Sequence, residues 1–249
     1  MQPVQDDHAL AADLADRAGR LLLELARREP PGNERGDLGD RESDDFLIAE
    51  LRRLRPDDAL LSEETADSPE RLESRRVWII DPLDGTREYT EADRIDWAVH
   101  VALAQDGVPI AGAVALPGEG LLLHTGAPAT VPTPDPGQPL RLVVSRTRAP
   151  QLTGDVAELL GAKLIPMGSA GAKAMAVVLG RADAYVHGGG MYEWDSCAPV
   201  AVAAAYGLHV SRLDGSPLRY NQTNPWAPDL VICRAEIAQR LLDAIRTVG

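Results

Sequence analysis

Trp78-Ile79-Ile80-Asp81-Pro82-Leu83-Asp84-Gly85-Thr86 is the stretch on which the reading of the whole chain turns. Val77 to Ile80 form an unbroken apolar run, the pattern of a strand buried on both faces. Pro82 has no amide to give to a ladder, so the chain must bend where Asp81 and Asp84 stand. The bend lets both carboxylates, with the Leu83 carbonyl between them, converge at the exit of the strand. Gly85 permits close backbone approach to a ligand, and Thr86 adds a hydroxyl and an amide as donors to anionic oxygen. Taken alone, the stretch also reads as a capped turn with two solvated aspartates.

Two other acidic positions favour a metal site. Upstream, the apolar run Ala59-Leu60-Leu61 ends in Ser62-Glu63-Glu64, a second short strand delivering carboxylates at its end. Far downstream, Glu193-Trp194-Asp195-Ser196-Cys197-Ala198 leads into a small-residue helix, with Asp195 placed as an N-cap. Carboxylates and a backbone carbonyl are hard oxygen ligands, suited to magnesium or manganese rather than zinc. The five histidines, His8, His100, His124, His187 and His209, show no ligand spacing and read as structural.

Composition is that of a globular chain, and an anionic substrate would need metal ions to be welcome beside its negative charge. The 249 residues are enough for one large or two small domains. A formal net charge of −13, from 25 basic and 38 acidic residues, argues against nucleic-acid polymers and anionic membranes as partners. Only Cys197 and Cys233 are present, so a disulfide framework is not expected and a reducing cytoplasm is the natural setting. Asp6 and Asp7 stand near the start without a basic-then-apolar leader, and no apolar run has the length of a bilayer span.

The pattern along the chain alternates helix and strand without internal repeat. Leu10, Leu14, Ala18, Leu21, Leu22 and Leu25 predict an amphipathic helix over Asp7 to Arg28, ended by Pro30-Pro31-Gly32-Asn33. A second helix is predicted from about Asp40 to Arg53. Strands follow near Leu60 and over Val77 to Asp81, Asp96 to Ala104, Pro109 to Leu116 and Leu121 to Thr125. Asp106-Gly107 and Gly118-Glu119-Gly120 are hairpin signals, so this section reads as antiparallel. The Pro-, Thr- and Gly-rich segment 126–139 reads as a connection between an α+β half, 1–138, and an α/β half, 139–249. In the second half, strands are predicted over Leu140 to Ser145, Leu164 to Met167 and Ala182 to His187, near Val210, and over Leu230 to Cys233. Helices are predicted over Leu152 to Gly161, Ala172 to Leu179, Ser196 to Tyr206 and Ala235 to Thr247. This is α/β layering.

W-I-I-D-P-L-D-G-T with a distant W-D resembles the lithium-sensitive, magnesium-dependent phosphomonoesterases of the inositol monophosphatase superfamily. Gly168-Ser169-Ala170-Gly171-Ala172-Lys173, Gly180-Arg181-Ala182-Asp183-Ala184-Tyr185 and Gly188-Gly189-Gly190 extend the resemblance across the second half. It implies an αβαβα sandwich and a two- or three-ion magnesium site that manganese can also occupy. In that likeness Glu63 and Asp81 with the Leu83 carbonyl surround one ion, and Asp81, Asp84 and Asp195 a second. Glu63, Asp40 and Thr86 would act in catalysis. The acid that touches the threonine of D-G-T matches Asp40, which also reads as a helix N-cap and has Asp37 and Asp44 close by.

Arg87-Glu88-Tyr89, Ser145-Arg146-Thr147-Arg148 and Lys173 resemble the 3′(2′),5′-bisphosphate nucleotidase branch. Arg146 and Lys173 are candidates for a second anionic pocket, and either also reads as a surface cation. Gly85, Thr86 and Ser169, with Asp84 and Asp195, complete the expected substrate contacts. The implied activity is removal of the 3′-phosphate from 3′-phosphoadenosine 5′-phosphate and its sulfated relative, in sulfur metabolism. Inositol monophosphatase, fructose-1,6-bisphosphatase and a non-catalytic nucleotide sensor are the alternatives, and a homodimer is compatible with all of them.

Overall fold

The computed structural model describes residues 6–134 and 137–249. Two long helices, α1 (Asp7–Arg28) and α2 (Asn33–Leu54), come first. The Asp6 carboxylate caps α1 by accepting the Ala9 amide at 2.7 Å, and Leu10, Leu14, Ala18 and Leu22 are fully buried along its inner stripe.

Helix α2 begins at Asn33, well before the expected Asp40, so Asp40 is no N-cap. Gly36 and Gly39 mask its first turns, since glycine weakens a helix by about 1 kcal/mol relative to alanine. Both glycines sit where another segment presses close. A Cβ on Gly36 would stand 2.8 Å from Thr90 Cγ2, and one on Gly39 would stand 2.9 Å from Tyr89 Cε1 and 3.0 Å from Leu83 Cδ2. The glycines thus admit the D-P-L-D-G-T segment against α2.

Strands β1 (Ala59–Ser62) and β2 (Arg76–Asp84) are followed by the short helix α3 (Thr86–Thr90) and by β3 (Ala98–Gln105), β4 (Val108–Leu116) and β5 (Leu121–His124). They form one sheet in that order, β1 parallel to β2 and the other pairs antiparallel. Asp106 and Gly107, both at positive φ (51° and 76°), close the β3–β4 hairpin as the Asp-Gly signal requires. The connection over 126–139 carries no helix or strand in its described part, residues 135 and 136 lying outside the described residues.

The rest of the chain supplies β6 (Arg141–Ser145), α4 (Gln151–Leu160), β7 (Lys163–Met167), α5 (Ala170–Val178), β8 (Ala184–His187) and β9 (Met191–Tyr192). It continues with α6 (Glu193–Ala205), β10 (His209–Ser211), β11 (Trp226–Ala227), β12 (Leu230–Cys233) and α7 (Ala238–Val248), the last preceded by a 3₁₀ turn over Ala235–Ile237. A second sheet has the order β10-β12-β8-β6-β7, and β9 and β11 form a separate ribbon.

Three apolar clusters hold these layers together. Trp78 and Ile80 of β2 face α1 and α2, whereas Val77 and Ile79 face α5 and α6. On the second sheet Tyr185 and Ile232 face the same central helices, and Ala184, Val186 and Val231 face α4 and α7. The layering is therefore helix, sheet, helix, sheet, helix, the αβαβα sandwich expected. Both sheets are covered on both faces, which explains their near-continuous apolar strands. The central cluster draws on Leu61 and Val114 as well as Met175 and Leu230. Cys197 and Cys233 are buried and unpaired. Among the described residues no helix is long and apolar enough to cross a membrane.

Candidate active site

Strands β1 and β2 run parallel with Ser62 opposite Ile80, so Glu63, just past the end of β1, follows the register toward Asp81 within β2. The β2–β3 ladder slips between Asp81 and Asp84, where Pro82 denies it an amide. Ligand oxygens of Asp81, Asp84 and Asp195 all lie within 4.8 Å of one another. Asp195 is not the N-cap of α6, which begins two residues earlier. It occupies the first turn and accepts the Tyr192 amide at 2.6 Å, so the capping box holds the carboxylate toward the other two. Glu63 stands at the exposed rim, outside that tight grouping, facing Asp195 and Asp84.

The electrostatics are those of a cation site. Burial, followed by the charges of Glu63, Asp84 and Asp195, drives the Asp81 carboxyl well above the usual range. Although the Glu63 side chain reaches solvent at the rim, the protein crowded around its carboxyl, with the neighbouring Asp195 and Asp84 charges, pushes it up to about 8. Burial and Asp84 push Asp195 to about 6. Asp81 Oδ1 accepts the Leu83 amide at 3.1 Å, while its buried Oδ2 has no hydrogen-bond donor. An orphaned carboxylate oxygen among like charges fits a hard divalent cation, which would supply the missing positive partner.

Asp84 is held differently. Its carboxylate accepts the Ser169 hydroxyl, the Ala170 amide at 3.0 Å and the Gly171 amide at 2.6 Å, at the N-terminus of α5. Burial alone would raise its pKa, but the imidazole of His100, Lys173 and the Ser169 hydroxyl together hold it below the usual carboxylate range. His100 is fully buried, with Nε2 3.2 Å from Asp84 Oδ2 and Nδ1 3.1 Å from the Trp194 carbonyl oxygen. This histidine was read from the sequence as merely structural. Only the β2–β3 register, which sets it opposite Asp81, brings it to the site.

Thr86 donates its hydroxyl to Asp40 Oδ1 at 3.1 Å and lies 3.2 Å from the Leu83 carbonyl oxygen. Burial, then the Glu64 charge, raises Asp40 to about 7. Of its two rivals, Asp37 is exposed, and Asp44 accepts the hydroxyls of Ser62 (2.5 Å) and Thr65 (2.6 Å), tying α2 to the Glu63 loop.

A cavity of about 500 Å³ opens beside the acids, lined by Asp84, Gly85, Thr86, Ser169, Lys173 and Asp195 among others. Lys173 is no surface cation: it is buried, and Nζ donates to the carbonyls of Gly168 (3.2 Å) and Ser169 (2.5 Å). Arg146 corrects the expectation placed on it. Its guanidinium pairs with Glu88 at 2.6 Å and with Glu91, and it does not line the cavity. Arg87 and Arg148 do, and among the described residues neither has a carboxylate partner within 4.0 Å. Arg148, exposed on the loop after β6, borders the cavity where the resemblance singled out Arg146.

A network behind the site also escaped sequence reading. Arg71 is 1% exposed and grips Asp67 (2.6 and 2.9 Å), Asn221 Oδ1 (2.7 Å) and the Gln222 carbonyl (3.0 Å). The amides of Asn221 and Gln222 donate to buried Glu193 at 2.6 and 2.8 Å. The loop after Glu63 is thereby joined to the start of α6, two residues before Asp195.

The sequence model of the inositol monophosphatase family matches residues 5–248. A 3′-phosphoadenosine 5′-phosphate phosphatase of Mycobacterium leprae is 51% identical, over 97% of this chain and 94% of that protein. The 3′(2′),5′-bisphosphate nucleotidase CysQ of Escherichia coli is 34% identical, over 68% of this chain and 73% of its own length. Among solved structures, CysQ from Bacteroides thetaiotaomicron superposes with a TM-score of 0.78 at 26% identity, covering 91% of this chain and 96% of that one.

Proposed function

The chain belongs to the inositol monophosphatase family, and on that footing we propose that it is a magnesium-dependent 3′-phosphatase hydrolysing 3′-phosphoadenosine 5′-phosphate to AMP and phosphate. The sulfated analogue would yield adenosine 5′-phosphosulfate by the same cleavage. One observation carries the chemistry: Asp81, Asp84 and Asp195 converge beside the cavity with a buried Asp81 oxygen that has no donor. The substrate follows from the mycobacterial relative, matched over nearly the whole chain at 51% identity.

In this reading Glu63, Asp81, the Leu83 carbonyl, Asp84 and Asp195 are the groups that would hold the magnesium ions. When bound, such cations neutralise phosphate charge and polarise the reacting oxygens. The chain's own groups do the rest. Gly85, Thr86 and Ser169 border the position of the 3′-phosphate, and Lys173 and Arg148 offer cations to the second anionic group. Asp40 draws a proton through the Thr86 hydroxyl from the attacking water, a task suited to a carboxyl whose pKa is about 7. Water attacks phosphorus and keeps one proton as hydrogen phosphate forms, the P–O3′ bond breaks, and the proton taken by Asp40 is returned through solvent to the ribose oxygen, which leaves as the 3′-hydroxyl.

Phosphate release is measured from 3′-phosphoadenosine 5′-phosphate, inositol 1-phosphate and fructose 1,6-bisphosphate, with and without magnesium. Magnesium-dependent turnover led by the nucleotide is expected. A tenfold preference for inositol phosphate would overturn the substrate, and nucleotide binding without product in saturating magnesium would make the protein a sensor.

A further inference from the structure

Large apolar side chains are seldom left half-exposed inside a polar cavity, yet Tyr192 and Trp226 are 46% and 48% exposed and both line the cavity that contains Asp84 and Asp195. They are register partners in the β9–β11 ribbon, and directly opposed residues of an antiparallel pair project from the same face. Each ring has one covered side. The Trp226 indole rests on Gly190, where a Cβ would fall 2.5 Å from the ring; Gly190 also has φ +80°, so a side chain is excluded twice over. Tyr192 stacks on Trp194 with centroids 4.6 Å apart and planes within 8°. About half of each side chain is left exposed, and both residues border the cavity.

The ribbon is fixed in relation to the acids. Gly190 donates to the Pro228 carbonyl at 3.0 Å, Glu193 donates to the Pro225 carbonyl at 2.8 Å, and the Tyr192 amide is the donor that orients Asp195. One residue therefore carries both an open aromatic face and the hydrogen bond holding an acid of the cluster. Two rings supported from behind form a rigid surface whose natural complement is a flat, heteroaromatic ligand.

Resting on the nucleotidase reading above, we propose that Tyr192 and Trp226 are the specificity-determining pair, a platform on which the purine of the substrate stacks while its 3′-phosphate meets the acids. A cyclohexane polyol phosphate would fit the acids equally well but has no π-face to match the platform. The pair thus separates nucleotide from polyol substrates.

The test uses the full chain and the variants Trp226→Ala and Tyr192→Ala, with Trp226→Phe and Tyr192→Phe as ring-preserving counterparts. KM for 3′-phosphoadenosine 5′-phosphate should rise about tenfold or more in each alanine variant, with a smaller change in kcat. The ratio of kcat/KM for the nucleotide to that for inositol 1-phosphate should fall by the same factor, and the Phe variants should recover most of it. AMP should quench tryptophan fluorescence of the wild type and lose that effect in Trp226→Phe. An unchanged nucleotide-to-inositol ratio in both alanine variants, or quenching retained in Trp226→Phe, overturns the platform. AMP quenching that depends on Trp226 in an enzyme without nucleotide preference would sustain the platform and overturn the nucleotidase reading; nucleotide preference with no effect of either ring would do the reverse.

Discussion

Replacing Arg71 by alanine should cost about 3 kcal/mol of stability and take turnover down with it. The guanidinium is 1% exposed and makes four hydrogen bonds. The two to Asp67 count for little, because that carboxylate is 40% exposed and such pairs contribute under about 1 kcal/mol. The bonds to Asn221 and the Gln222 carbonyl are part-buried and charge-assisted, and at roughly 1.5 kcal/mol each, the low end for such bonds, they account for the estimate. For a chain of this size each kcal/mol moves Tm by about 2–4 °C, so a drop of about 6–12 °C is expected in a thermal melt followed by circular dichroism. Glu193 loses the Arg71 charge that draws its pKa down, and the turn that carries Asp195 loosens. Phosphate release in saturating magnesium should therefore fall as well, and Arg71→Lys, lacking the planar fork, should restore only part of either loss. A Tm within about 2 °C of the wild type together with full turnover would refute this account.

Asp195→Asn keeps an oxygen for the Tyr192 amide but removes a charge from the cluster, so turnover should drop a hundredfold or more, on the order seen when a transition-state charge partner is lost, with the circular dichroism spectrum of the folded chain retained; near-normal activity would remove Asp195 from the site. Without divalent cations, Glu63 (about 8), Asp40 (about 7) and Asp195 (about 6) bind protons more tightly folded than unfolded. Their stabilisation is complete below ordinary carboxylate pKa values and is lost as pH rises through 6 to 8. In chelator, Tm should be higher at pH 6 than at pH 8, and the gain from magnesium larger at pH 8; a chelated Tm that rises with pH contradicts this. Gly171→Ala would set a Cβ 2.1 Å from His100 Nε2 and 3.0 Å from Ala98 Cβ, so overpacking should destabilise by about 1–3 kcal/mol, and an unaltered melt would show that the ring can move aside.

What was legible in the sequence was whatever depends on neighbours along the chain. Val77 to Ile80 declared a strand because the sheet is covered on both faces, and Pro82 declared the bend that the ladder slip reproduces. The αβαβα layering came through the resemblance and not through periodicity. Features that depend on register or on tertiary approach stayed hidden. His100 reaches Asp84 only through the β2–β3 pairing, and nothing in its own surroundings announces it. The first turns of α2 were missed because Gly36 and Gly39 weaken the local helical signal in order to let Thr86, Leu83 and Tyr89 approach. The resemblance pointed to Arg146, and only the placement of Glu88 and Glu91 shows that guanidinium paired away from the cavity.

Asp84 belongs to the first sheet, yet the donors that surround it at the start of α5 come 85 to 87 positions later in the chain. At about 5–20 residues per second of synthesis, that aspartate waits roughly 4–17 s for them. During that interval the nascent chain carries Asp81 and Asp84 but neither Asp195 nor the helix end that receives Asp84. Hydrolytic competence therefore switches on late in translation, and the first appearance of activity in a synchronised synthesis reaction would time the docking of the second sheet.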